Sequence, residues 1–309
     1  MSKALFIFLC AGPLLLAAQT KKMCISIDDL PTVPYSFRSS DFQWKIMDGL
    51  VHTLTSEGVP AIGYVNEGKL YKEGMLDSFQ VKLLQHWLMN GLDVGNHTFS
   101  HKNYHKTTYE AYTADILAGE VITRDLVKTY GKELKFFRHP YLRMGLREGH
   151  ADSLRNFLDA QGYQQAPVSI DNEDYLFALA YSRAMKKGDR KLMTRIGKDY
   201  VQYMKEKASY FDRQAMVLFG RQINHILLLH ANSLNADYLD ELIAMYRESG
   251  FEFISQEEAL KDPVYQERIT RFGDWGISWI DQVALSKGRG ASFFEDDPKT
   301  PAYIYEMTR

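Results

Sequence analysis

The sequence predicts an α/β fold built on a parallel sheet or barrel. Three observations carry that expectation. Short apolar runs alternate with longer segments of helical period. Glycines stop the helical segments at regular intervals. Acids, histidines and an arginine stand directly after the apolar runs, where parallel α/β folds collect their chemistry.

Met23–Ile27 reads as a buried first strand ending in Asp28-Asp29-Leu30-Pro31. Two adjacent acids there are costly unless paired or bound to a metal, although Asp-Asp before Pro is also good turn chemistry. Phe42–Ser56 is an amphipathic helix stopped by Gly58, and Val59–Val65 is the next strand. A helix over Phe79–Asn90 presents Val81, Leu84, Trp87 and Leu88 on its inner face, and Gly91–Asn96 is a strand. His97 and His101 follow at once. If a helix begins there, a spacing of four puts both imidazoles on one face. That suits two nitrogen ligands of a divalent metal; the alternative is a polar helix start with an incidental pair.

Tyr109–Tyr130 reads as one long helix, after which Phe136-Phe137 leads into Arg138-His139-Pro140-Tyr141. A helix lies within Gly145–Gly162. Ala166–Ile170 is expected as a strand with Asp171 and Asp174 at its end. From about 176 to 222 the period is helical throughout, with a break near Gly188-Asp189; this is read as a helical insertion. Ile226–Leu229 is a strand closed by His230, Asp237–Ser249 a helix, and Phe251–Ile254 the last strand. Ser255 then caps a short helix carrying Glu258 three residues on.

Residues 1–18 read as a secretory signal peptide. Lys3 gives a positive start, Ala4–Leu16 is almost wholly apolar, and Ala17-Ala18 offers a cleavage site. The run falls short of the roughly 20 residues of a spanning helix, and Pro13 interrupts it. The bulky Phe8 and Leu9 before Cys10 do not suit a lipoprotein site. With Cys10 removed, Cys24 has no partner for an internal disulfide. The expectation is export with no membrane span after cleavage. A net charge of -2 argues against general nucleic-acid binding. The domain reading is one catalytic domain over 19–272 and a C-terminal extension over 273–309, rich in Gly and aromatics.

Five polar clusters thus end five predicted strands: Asp28-Asp29, His97/His101, Arg138–Tyr141, Asp171/Asp174 and His230. In order and type they resemble the motifs of the polysaccharide deacetylases, the NodB-homology or carbohydrate esterase family four group. Ser26–Pro31 is similar to that family's Asp-Asp motif, His97-Thr98-Phe99-Ser100-His101 to its His-(Ser/Thr)-x-x-His motif, and Arg138–Tyr141 to its Arg-x-Pro-Tyr-like motif. Leu227-Leu228-Leu229-His230 matches the Leu-x-Leu-His motif. The resemblance spans Met23 to Pro263. It departs at Leu30, where the family usually has Gly, and at Tyr175, where Trp is common. Leu30 is expected to narrow the cleft or alter its loop, and the insertion to reshape it.

The resemblance implies a distorted (β/α) barrel with fewer strands than the eightfold form. It implies a divalent metal, Zn²⁺ foremost, held by Asp29, His97 and His101. Asp28 would be the general base, kept ionised by Arg138. His230 would be the acid, oriented by Asp174, with Asp171 as the competitor for that place. Tyr141 would supply an oxyanion donor from its backbone N–H, Leu228 a pocket for the acetyl methyl, and Tyr175 part of the substrate wall. The implied reaction is removal of N-acetyl groups from an N-acetylglucosamine polymer or oligomer of peptidoglycan or chitin type. O-acetyl xylan esterase, small-substrate amidase and non-catalytic glycan binder are the alternatives. His139 is expected in the cleft, whereas His52, His86, His150 and His225 read as surface or helix residues and His105 as no ligand. Trp275 and Trp279 read as packing before sugar stacking.

Overall fold

The computed structural model describes residues 20–309. The signal-peptide reading over 1–18 lies outside them. In chain order the elements are β1 Lys21–Leu30, α1 Ser40–Ser56, β2 Ala61–Val65, the hairpin strands β3 Tyr71–Lys72 and β4 Met75–Leu76, α2 Ser78–Met89 and β5 Asp93–Asn96. There follow α3 Tyr109–Ala118, α4 Val121–Thr129, β6 Phe136–Phe137, α5 Glu148–Ala160, β7 Gln164–Gln165, α6 Asp174–Lys186 and α7 Arg190–Phe219. The chain closes with β8 Asn224–His230, α8 Ser233–Glu248, β9 Phe251–Phe253, α9 Gln256–Leu260, α10 Trp279–Ser286 and α11 Ala302–Thr308.

The main sheet runs β7-β6-β5-β2-β1-β8 and every pairing in it is parallel. It curls into an open barrel with helices outside. β1 is its centre. Met23 to Asp28 are all buried, as expected for a parallel strand covered on both faces. β8 takes one edge of β1 over Lys22–Asp28. The other edge is shared, with β9 on Lys21–Met23 and β2 on Ile25–Leu30. The helices bury the stripe their period predicts: α1 turns Ile46, Met47, Leu50, Val51 and Leu54 inward, and Ser39 caps it by accepting from Phe42 N. No helix among the described residues is long and apolar enough to cross a membrane.

Three local expectations are corrected. Tyr109–Tyr130 is two helices, not one. At Gly119 a Cβ would fall 2.5 Å from the Thr98 carbonyl carbon, so only glycine lets the chain pass that loop. The buried Glu67 carboxylate then accepts from Ile122 N and Thr123 N and caps the fresh start of α4. Ala166–Ile170 is not a strand; it touches the sheet at one isolated bridge, Ile170 with Leu227. Residues 97–101 are not helical. Asn96 Oδ1 accepts from Thr98 N, and Thr98 and His101 both have left-handed φ, 65° and 53°. A short polar side chain bonding its own backbone competes with helix initiation.

α6 and α7 form a helical hairpin against α8. Tyr181 Oη donates to Asp237 and Tyr200 Oη to Asn235. The end of α11 is tied to α6 through Arg183, which donates to the carbonyls of Met307, Thr308 and Arg309.

Candidate active site

The site is built where β1, β5, β6 and β8 end. Register does much of the placing. Asp28 lies directly beside His230 across the β1–β8 pairing, so neighbouring strands present both to one face. One residue on, Asp29 sits at an irregularity of β1 with φ 69°, before Leu30 pairs again with Val65, and this turns its carboxylate toward the loop after β5.

There it meets the two imidazoles. His101 Nε2 is 3.7 Å from Asp29 Oδ1 and His97 Nε2 is 3.9 Å from the same oxygen. One donor atom from each of the three residues fits within a mutual 4.8 Å. His97 Nδ1 sits 2.8 Å from the Arg138 carbonyl, which requires Nδ1–H and leaves the Nε2 lone pair facing the cluster. Burial, then His101, holds the His97 pKa well below its ordinary value; burial does the same more mildly to His101. Both rings are therefore neutral. Burial opposes the charge on Asp29, but nearby positive charge, the Lys69 ammonium foremost, keeps the carboxyl well below the usual range. Its Oδ1 is buried and has no hydrogen-bond partner. An ionised oxygen left bare between two neutral imidazoles is the donor set of a divalent cation, so Asp29, His97 and His101 fit the implied metal.

Asp28 stands apart from this set. It is almost wholly buried, 3.7 Å from His97 Nε2, and Arg138 Nη1 is 3.3 Å from its Oδ1. The pairing with Arg138 is present, yet burial outweighs it and pushes the Asp28 pKa up to about 6. Arg138 thus limits the rise rather than keeping the group strongly acidic. The guanidinium is itself held by Ala166 O at 2.5 Å, Ser26 Oγ at 3.0 Å and the face of Tyr64.

Asp174, not Asp171, partners His230. The fully buried Asp174 sits in the first turn of α6 and accepts from His230 Nδ1 at 2.7 Å, His230 N at 2.9 Å and Asn235 Nδ2 at 2.8 Å. Burial disfavours a charged His230, but Asp174, with Asp29 and Asp28 behind it, drives its pKa from 6.5 to about 9. Asp171 lines the same cleft, and burial raises it to about 7. Tyr141, Tyr175 and Leu228 line this cleft of about 560 Å³, Tyr175 half exposed and Leu228 buried.

Other expectations are revised. Leu30 does not narrow the cleft. It is fully buried, and its Cδ1 fills the space beside Gly63 where a Cβ would be 2.0 Å away. His139 bonds Gln165 and lines a separate cavity behind the motif. His225 is a core residue on β8, not a surface one. His105 bonds Asp274 and Gly145 N. Trp279 is buried, with its indole N–H on the Val264 carbonyl.

Two residues carry the metal loop without any sequence signal. Lys69 donates to the Asp29 carbonyl at 2.7 Å and holds the left-handed turn. Asp115, from α3, accepts from Ser100 N at 3.1 Å and from Ser100 Oγ, and meets Lys102 Nζ at 3.3 Å. Asp115→Ala removes the charged acceptor of two part-buried hydrogen bonds from the Ser100 loop and is expected to cost about 1–3 kcal/mol, read as a lower urea midpoint with unchanged slope.

A sequence model of the polysaccharide deacetylase family matches residues 17–166. None of the curated proteins matches the chain. Among solved structures, the chain is similar to the Bc1960 peptidoglycan N-acetylglucosamine deacetylase at TM-score 0.50 and 17% identity, covering 82% of this chain and 92% of that one. It is also similar to a mutant of BA3943, a CE4 family pseudoenzyme from Bacillus anthracis, at TM-score 0.50 and 13% identity, covering 78% and 68%. At such identities the likeness is one of fold, the curled parallel sheet with outer helices. The family match, that shared fold and the order of the motifs along the sheet lead to one statement: residues 17–166 of this chain are a domain of the polysaccharide deacetylase family.

Proposed function

We propose that this protein is an exported, metal-dependent hydrolase that removes N-acetyl groups from an N-acetylglucosamine polymer or oligomer of peptidoglycan or chitin type. The observation that carries the reading is the division of labour in one cleft. Asp29, His97 and His101 offer three converging donors, while Asp28 and the Asp174–His230 pair stand beside them as separate proton-handling groups. That arrangement also speaks against a non-catalytic glycan binder.

A divalent cation held by Asp29, His97 and His101, Zn²⁺ foremost, would polarise the acetamide carbonyl and acidify water. Asp28 takes the proton of the attacking water, for which it must be ionised; above about pH 6 it is. Arg138 fixes its carboxylate. The backbone N–H of Tyr141 hydrogen-bonds the developing oxyanion. His230, with Nδ1–H spent on Asp174, has Nε2–H free to give its proton to the leaving amine. Leu228 provides an apolar floor for the acetyl methyl, and Tyr175 a face for a sugar ring. The leader over 1–18 would deliver the enzyme outside the cytoplasm, where such polymers lie.

The test is acetate release from N-acetylglucosamine oligomers, with acetyl-xylan as the competing substrate. Release from the former, lost after chelation and regained with Zn²⁺, is the expected result. Release from acetyl-xylan alone would replace the amidase reading with an esterase.

A further inference from the structure

We propose that Gly276, in the C-terminal segment, is a positioning residue for the Tyr141 turn. Tyr141 and Leu142 are consecutive non-glycine residues in the left-handed region, φ 59° and 54°. Side chains disfavour that conformation, and it persists where surroundings enforce it. Local bonds, Leu142 N to His139 O and Arg143 N to Pro140 O, close the turn but leave its outer face to be held.

Gly276 supplies that face. A Cβ built on it would fall 1.8 Å from the Tyr141 carbonyl oxygen, 3.0 Å from its carbon and 3.4 Å from Arg143 Cγ. The obstacle is backbone, so any larger residue must displace the turn. Gly276 has no positive φ, so the need for glycine here is one of space. The segment is anchored beyond this point: Ser278 is fully buried, and Trp279 N donates to Val168 O at 2.6 Å. On the other side Asp274 pairs with Arg143 at 2.8 Å and with His105 at 3.3 Å, joining the stretches that follow Tyr141 and His101. Asp274 is 63% exposed, so that pair is weak and the close approach of Gly276 carries the inference. Gly276 also lines the cleft, and the Tyr141 ring packs edge-on against His101 with centroids 4.5 Å apart. The atoms nearest a Cβ on Gly276 belong to Tyr141 and Arg143, none to the proposed ligands Asp29, His97 and His101.

The inference rests on the proposed deacetylase chemistry, and the experiment separates the two. Zinc-loaded wild type, Gly276→Ala and Asp274→Asn are compared on tetra-N-acetylchitotetraose and on 4-nitrophenyl acetate, which carries an acetyl group but no sugar. Rates are taken above the Asp28→Asn background, and Zn²⁺ affinity and thermal midpoint are measured for each protein. Gly276→Ala is expected to lose at least tenfold in kcat on both substrates, with KM for the tetramer within threefold and Zn²⁺ affinity unchanged, while the displaced turn lowers the midpoint. Asp274→Asn is expected to change kcat less than threefold. Retained kcat in Gly276→Ala overturns the inference, as does a loss matched by lower Zn²⁺ affinity or by unfolding at the assay temperature, which would mark general damage. A wild type active only on 4-nitrophenyl acetate overturns the glycan reading, and the Gly276 comparison then stands on that ester. A wild type inert toward both overturns both.

Discussion

Asp28→Asn is expected to lower kcat on N-acetylglucosamine oligomers by about 10²–10⁴ while Zn²⁺ binding stays within a few-fold of wild type. The amide keeps the shape and one acceptor for Arg138, but it cannot take a proton from water. The three proposed ligands are unchanged, and Arg138 keeps its bonds to Ser26 Oγ and the Ala166 carbonyl. Turnover and metal binding should therefore separate in this variant. In His101→Ala they should fall together, because one of three converging donors is gone. Calorimetric Zn²⁺ titration beside a turnover assay reads both; an Asp28→Asn protein with full activity would remove the proposed base.

Asp174→Asn is expected to shift the alkaline limb of kcat. In the wild type His230 keeps its proton up to about pH 9, because Asp174 outweighs the burial that opposes the charge. The groups facing it are Asp174, Asp29 and Asp28, all acidic. Its folded-state pKa is raised, so the protonated form is fully present below the unfolded value and is lost as pH rises through about 9. Activity that needs this proton follows the same window. Without the Asp174 charge, burial acts on His230 with much less opposition, and the limb moves to lower pH by more than one unit. At pH 8 the variant, shifted by one to two units, should lose roughly two- to tenfold, recovering on acidification. The same sign applies to stability: the ion pair stabilises the fold through neutral pH and ceases to do so above about 9. A pH profile of kcat with an unmoved alkaline limb would take the acid role away from His230.

The strand ends were legible in the sequence because a buried parallel strand reads as a continuous apolar run, and Asp28-Asp29, Asn96-His97 and His230 each follow one directly. The curled parallel sheet follows from the same alternation. The local shape around the ligands was not legible. A spacing of four suits a helix, but Asn96 diverts the chain at its first residue into an Asx turn, and two left-handed residues then bring the rings together. Spacing reports which residues are near, not which backbone path joins them. The supports were also hidden, because Lys69, Asp115 and Gly276 act through contacts distant in sequence: 40 residues from Lys69 to the Asp29 carbonyl and 15 from Asp115 to Ser100. The choice between Asp171 and Asp174 turned on helix geometry. Asp174 opens α6 and points back at the end of β8, while Asp171, one turn earlier, bonds the amide of its neighbour Asn172. Leu30 illustrates the converse: a departure in a motif that matters little for the cleft, because its side chain goes into the core against Gly63.

The most direct measurement of the central claim is acetate release from tetra-N-acetylchitotetraose by chelated protein titrated with Zn²⁺, with bound metal counted in the same samples. Activity is expected to rise in proportion to one equivalent of metal per chain and to level off there, and His101→Ala should neither retain that metal nor recover. Acetate release at an undiminished rate from metal-free wild type, or full recovery in His101→Ala, would contradict the account.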